Sequence, residues 1–243
     1  MGDIAIERIT TDGEAGGMEV LVVRPEAPRG AVVLVQEAFG VNDHIASVAE
    51  RLAWAGYSAY APDLFHRYER RIIPYEELAV AKDQIGRLTD DQVVDDVSRA
   101  VALAAERDAG QPIGTVGFCF GGRVAFVAAT AIHDLSAAVA FYGGGIGADS
   151  PDAPHRRAGS LGCPLLLLFG ADDPMIPAED VERVRASLST AGATYDVEVY
   201  EGAGHGFACD ARPGSYNAAV AKIAWARAFE FLELHLRGAF PPA

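Results

Sequence analysis

The run Gly114-Thr115-Val116-Gly117-Phe118-Cys119-Phe120-Gly121-Gly122, followed by an apolar helical stretch over 124–131, constrains this chain more than any other segment. Its apolar lead-in reads as a buried strand, the glycines as a pinched turn and the stretch after them as a helix. The side chain with reactive chemistry, Cys119, falls at the turn. Gly117-x-Cys119-x-Gly121 has the G-x-S-x-G spacing of a nucleophile elbow, with a thiol in place of the hydroxyl. A sharp strand-to-helix turn leaves no room for a Cβ two residues before or after the nucleophile, so small residues are needed there. The helix start that follows offers free N–H groups and the positive end of a dipole, which favour a thiolate and can hold an oxyanion. A five-residue pattern also matches by chance, and a free cysteine in such a connection is commonly buried and inert. The remainder of the chain decides between the two readings.

The segments around the elbow alternate between strand and helix. Residues 4–10 and 18–24, separated by Asp12-Gly13 and Gly16-Gly17, read as a β-hairpin. Ala31-Val32-Val33-Leu34-Val35 is a continuous apolar run, the mark of a strand buried on both faces of a parallel sheet. A helix over about 43–55 follows, with Asn42 as N-cap. Strands are expected over 57–61, 113–118, 137–142, 165–169 and 194–200, and helices over 90–107, 178–191 and 216–236. The segment 65–88 is more polar and follows the carboxyl end of a strand, the edge at which open parallel sheets bind ligands, so it reads as a short cap over a site. Residues 146–162 read as irregular. Strands alternating with helices imply an α/β fold, a three-layer sandwich around a mostly parallel central sheet. No linker, repeat or charge block divides the chain, which is expected to form one domain over 1–243.

Several function classes are set aside by what the chain lacks. The net charge of −14 argues against a nucleic-acid partner. There is no leader-like start, and no apolar run approaches the roughly 18 residues of a spanning helix, so a soluble cytoplasmic protein without a membrane partner is expected. Three cysteines, Cys119, Cys163 and Cys209, without C-x-x-C spacing suit a reducing compartment. The six histidines include no H-E-x-x-H or comparable pair, so no metal is expected. Without a glycine-rich phosphate motif where a strand meets a helix, no nucleotide or other cofactor is expected either.

Two further residues join the cysteine. Cys119, then Asp172 or Asp173, then His205 each fall just past an expected strand, in the chain order nucleophile, acid, base of the α/β-hydrolase arrangement. His205 lies in a glycine-flanked loop able to bring its ring to the sulfur. An aspartate before a proline also initiates turns, and a single loop histidine often has no task.

At this point the sequence resembles the dienelactone hydrolase family. Gln36-Glu37-Ala38-Phe39-Gly40-Val41-Asn42 is similar to that family's QE-x-FGVN segment, and Gly117-Phe118-Cys119-Phe120-Gly121-Gly122 to its G-x-C-x-GG elbow. Gly170-x-x-Asp173-x-x-Ile176-Pro177 and Gly202-Ala203-Gly204-His205-Gly206-Phe207 are similar to its acid and histidine motifs. The resemblance implies an α/β-hydrolase fold and a cofactor-free hydrolase that cleaves a small ester or lactone through a cysteine acyl-enzyme. Cys119 would attack, His205 would act as base and then acid, and Asp173, preferred over Asp172 by its spacing to Ile176-Pro177, would orient the ring. The backbone N–H groups of Ala38 and Phe120 would hold the oxyanion, and Glu37 would contact the resting thiol and help to activate it. Phe39, Tyr142, Arg70 and Arg71 are candidate substrate contacts, against readings as core packing or solvated charge. The best-known members carry an arginine a few residues after the histidine that grips a substrate carboxylate; here that position is Cys209 and the nearest arginine is Arg212. The partner is expected to be a small molecule and the assembly a monomer or homodimer. Two other activities share these residues: acyl transfer or thioester hydrolysis on the same scaffold, and a non-catalytic ligand-binding or thiol-sensing protein.

Overall fold

In a computed structural model of the chain, which describes residues 3–13 and 16–236, the apolar runs form the centre of an eight-stranded sheet. Strands β1 (Ile4–Thr11), β2 (Met18–Pro25), β3 (Ala31–Val35), β4 (Ser58–Pro62), β5 (Ile113–Phe118), β6 (Leu135–Phe141), β7 (Leu165–Gly170) and β8 (Tyr195–Tyr200) lie in the order β1-β2-β4-β3-β5-β6-β7-β8. The β1/β2 and β2/β4 pairings are antiparallel and the rest parallel. Every residue of β3, β4, β5 and β7 is buried, as expected for strands covered on both faces. Residues 1–2, 14–15 and 237–243, which the expected 1–243 domain includes, lie outside the described residues.

Helices supply the two covering layers. Helix α1 (Asp43–Trp54) and the last helix, α6 (Ala218–His235), share one face, where Arg51 of α1 stacks over the Trp225 ring. Helices α3 (Asp90–Arg107), α4 (Phe120–Ala131) and α5 (Ala178–Thr190) cover the other, together with a 3-10 turn over Pro154–Ser160. The expected N-cap of α1 is in place: Asn42 Oδ1 accepts from the Ile45 N–H at 3.2 Å. A capping box of Thr89 and Gln92 opens α3. Phe118 at the end of β5 stacks on Phe141 at the end of β6, with centroids 4.6 Å apart, and Trp225 leans on both. That aromatic cluster lies directly beneath the elbow.

Residues 146–162, expected to be irregular, hold the 3-10 turn over Pro154–Ser160. The segment 65–88, expected as a cap, is partly helical. It contains helix α2 (Leu78–Gly86), whose weak apolar patterning hides it in the sequence; only Ala81 and Gln84 of its residues are buried.

Candidate active site

The elbow is built by close backbone approach. A Cβ at Gly117 would run into the Gly121 carbonyl, and one at Gly121 would run into the carbonyl oxygens of Val35 and Gln36. Between these glycines Cys119 has φ 54° and ψ −118°, a left-handed conformation that costs a non-glycine residue about 1–3 kcal/mol. The turn is held by the Cys119 N–H donating to the Phe141 carbonyl at 3.0 Å, and by the Gly122 and Arg123 N–H groups donating to the Cys119 carbonyl. Phe120 opens α4, so its N–H has no intrahelical acceptor.

Asp173 and His205 follow the last two strands, β7 and β8. Asp173, buried in the turn after β7, accepts from the Met175 N–H and from His205 Nδ1, each at 2.8 Å. Asp172 is exposed and makes no contact with the ring, which separates the two aspartates as the motif spacing predicts. Burial alone would lower the His205 pKa; the bond to Asp173 and the neighbouring Cys119 sulfur outweigh it and raise the ring to about 10. At neutral pH the imidazole therefore keeps its proton beside the sulfur. Its Nε2 has no partner among the described residues in ordinary hydrogen-bond geometry. Tyr142, itself at φ 39°, packs edge-on to the His205 ring at 5.3 Å.

This raised pKa carries a linkage consequence. A group that binds its proton more tightly in the folded state stabilises the fold fully below its ordinary value of 6.5, and that contribution is lost as pH rises through about 10. Thermal melts across this window are expected to fall further for the native chain than for His205→Asn; equal slopes would contradict the assignment.

The loop after β3 carries Glu37. Its carboxylate accepts from the Tyr142 hydroxyl at 3.4 Å and lies against Cys209, and among the described residues it has no hydrogen bond to Cys119. Gln36 ties this loop to the end of β4, its Oε1 accepting from the Leu64 N–H at 3.1 Å.

The Cys119 sulfur and His205 ring open into a largely apolar cavity of about 770 Å³, whose wall includes Ala38 and Phe39. Helix α2 contributes Leu78, Lys82 and Ile85, and Met175 lies across from them. Arg212 also faces the cavity, 5.5 Å from the Phe39 ring and 5.6 Å from that of Tyr75. Two expected contacts are elsewhere. Arg70 makes a bidentate pair with Glu77 on the exposed surface, and Arg71 reaches toward Asp63 at 3.6 Å; neither lines the cavity. Tyr142 is fully buried behind the site and touches it only through His205 and Glu37. Lys82 is not singled out by sequence; the one signal for it is a lone cation among apolar residues in 78–86. His44 and Tyr75, which approach Cys209, carry no local signal at all.

A model of the dienelactone hydrolase family matches residues 18–236. The chain belongs to the dienelactone hydrolase family. It is 37% identical over 239 residues to a Salmonella typhimurium protein named "Putative carboxymethylenebutenolidase", covering 95% of this chain and 87% of that one. It is 31% identical over 210 residues to a Rhodococcus opacus carboxymethylenebutenolidase, covering 84% and 81%. The crystal structure named "Putative Dienelactone Hydrolase" from Klebsiella pneumoniae superposes with a TM-score of 0.86 at 33% identity, over 95% of this chain and 98% of that one. This member of the dienelactone hydrolase family is accordingly a hydrolase acting on ester bonds, with the α/β fold of those relatives. No helix among the described residues is long and apolar enough to cross a membrane.

Proposed function

We propose that the chain cleaves a small ester or lactone through an acyl-enzyme on Cys119. The observation that carries this reading is a thiol at a strained turn beside an imidazole that Asp173 fixes at 2.8 Å, both facing one apolar cavity. The thiolate adds to the carbonyl carbon, and the charge that develops on oxygen is received by the N–H groups of Phe120 and Ala38. His205 passes its proton to the leaving oxygen as the C–O bond breaks, which in a lactone opens the ring while the acyl group stays on sulfur. The now neutral ring takes a proton from water, hydroxide adds to the thioester, and the carboxylic acid leaves with the thiolate and the protonated ring restored. Asp173 holds Nδ1 so that Nε2 serves both transfers.

Asp173→Asn is expected to lower kcat by about 10²–10⁴-fold, because the amide no longer fixes the ring tautomer. Asp172→Asn should stay close to the native rate. The opposite ranking in steady-state assays would overturn the assignment of the acid.

For the substrate, we propose a carboxylate-bearing lactone or ester, the class that the name carboxymethylenebutenolidase gives to the relatives. Lys82 and Arg212 support this, as cations that line the cavity. Arg212 would then serve from a different sequence position the need that the arginine expected at 209 serves in the best-known members. A hydrolysis panel tests it, comparing a carboxylated butenolide with its neutral methyl ester. Arg212→Met is expected to raise KM at least tenfold for the anionic compound, about 1.4 kcal/mol, and to leave the neutral one unchanged; equal effects on both would sink the reading.

A further inference from the structure

Behind the wall of the cavity, three side chains of different chemistry converge. Glu37 follows β3, His44 lies in the first turn of α1, and Cys209 follows the histidine loop. Each offers one ligand atom, and these atoms all lie within 4.8 Å of one another. All three residues are buried, at 1%, 4% and 0% exposure.

Their hydrogen bonding is incomplete in a directed way. His44 Nδ1 is 3.0 Å from Asp210 Oδ1, and a carboxylate can only accept, so Nδ1 carries the proton and Nε2 presents a lone pair. That Nε2 and Glu37 Oε2 find no hydrogen-bond partner among the described residues. Leaving such atoms buried and unpaired costs about 1–3 kcal/mol each, which calls for a ligand that accepts electron pairs.

We propose that Glu37, His44 and Cys209 form a binding site for a borderline-soft divalent cation of the zinc class. One oxygen, one imidazole nitrogen and one sulfur are the donor types that zinc takes in three-ligand sites, with the fourth position left for water or a neighbouring oxygen. The Tyr75 hydroxyl, 3.6 Å from Cys209 Sγ, is an oxygen placed to take that position. Bond lengths of about 2.0–2.3 Å place tetrahedral ligand atoms roughly 3.3–3.7 Å apart, so closing the site takes about 1–1.5 Å of side-chain movement at most. The outer shell is already arranged. Asp210 fixes the His44 tautomer, and Arg51 approaches Asp210 Oδ2 at 3.5 Å; a carboxylate behind a histidine ligand is the usual supporting arrangement at zinc. Binding releases the Cys209 proton to solvent and involves no change of oxidation state. The dication, the thiolate and the Glu37 carboxylate then sum to zero, which suits an interior position.

The sequence hides this site because its ligands are spread from position 37 to position 209, with none of the short spacings by which metal motifs are read. Cys119, His205 and Asp173 supply no ligand to the site.

Titration of the metal-free full chain with cobalt(II), which takes zinc sites and reports a bound thiolate by a near-ultraviolet charge-transfer band, tests the proposal. One equivalent is expected to give the band in the native chain and equally in Cys119→Ala, and Cys209→Ser is expected to abolish it. Asp210→Asn, which keeps all three ligands, is expected to weaken the site by about 10–100-fold and decides the matter if Cys209→Ser fails to fold. Absence of the band in the native chain overturns the proposal. So does its loss in Cys119→Ala, its survival in Cys209→Ser, or an unchanged affinity in Asp210→Asn.

Discussion

Cys119→Ala is expected to lower ester turnover by about 10⁴–10⁶-fold, the loss seen when a nucleophile acting as part of a triad is removed, with the fold intact. The turn is held by backbone hydrogen bonds that survive the change. Cys119→Ser should retain a weak fraction of the activity, since the hydroxyl occupies the same point but does not form an anion beside the protonated His205. A third substitution separates function from structure. Cys119→Gly removes the Cβ that makes φ 54° unfavourable, so it is expected to raise stability by about 1 kcal/mol while being as inactive as the alanine variant. Urea unfolding alongside the rate assays checks both; an active Cys119→Ala protein would remove the sulfur from the chemistry altogether.

Gly121→Ala is expected to cost about 3 kcal/mol or more of stability. The new Cβ would meet the carbonyl oxygens of Val35 and Gln36, which belong to the end of β3 and the loop it feeds, and no flexible side chain is there to give way. Relief would require α4 to lift from the sheet. Gly144→Ala, a short distance along the chain, is the control. Nothing lies within 4 Å of the point its methyl would occupy and its φ is not left-handed, so a change within about 0.5 kcal/mol is expected. Denaturant midpoints compare the two, and similar values would show that the turn is not closed by backbone contact.

The parts of this protein that are legible in the sequence are those whose signals are local. Ala31-Val32-Val33-Leu34-Val35 can be little else than a strand covered on both faces, and Gly117-x-Cys119-x-Gly121 encodes a turn whose glycines the backbone contacts require. The choice of Asp173 over Asp172 is also readable, because the turn that follows, with the Ile176 N–H donating to the Asp173 carbonyl, places one carboxylate inward and the other in solvent. What is not legible depends on where distant segments meet. Arg70 and Arg71 belong to the right segment, but Glu77 and Asp63 draw them away from the cavity, while Lys82 on the unforeseen helix α2 faces it. Glu37 also meets Cys209 and His44, an encounter that no spacing along the chain announces.

The central claim is that the acyl group of the substrate is carried on the sulfur of Cys119. It is tested most directly by acid-quenching the enzyme during turnover of a slow aryl ester and locating the added mass by peptide fragmentation. An acyl adduct on the peptide bearing Cys119, absent from Cys119→Ala and discharged on return to neutral pH, is the predicted result. Full turnover with no adduct at any time point, or an adduct on Cys163 or Cys209 in its place, would contradict it.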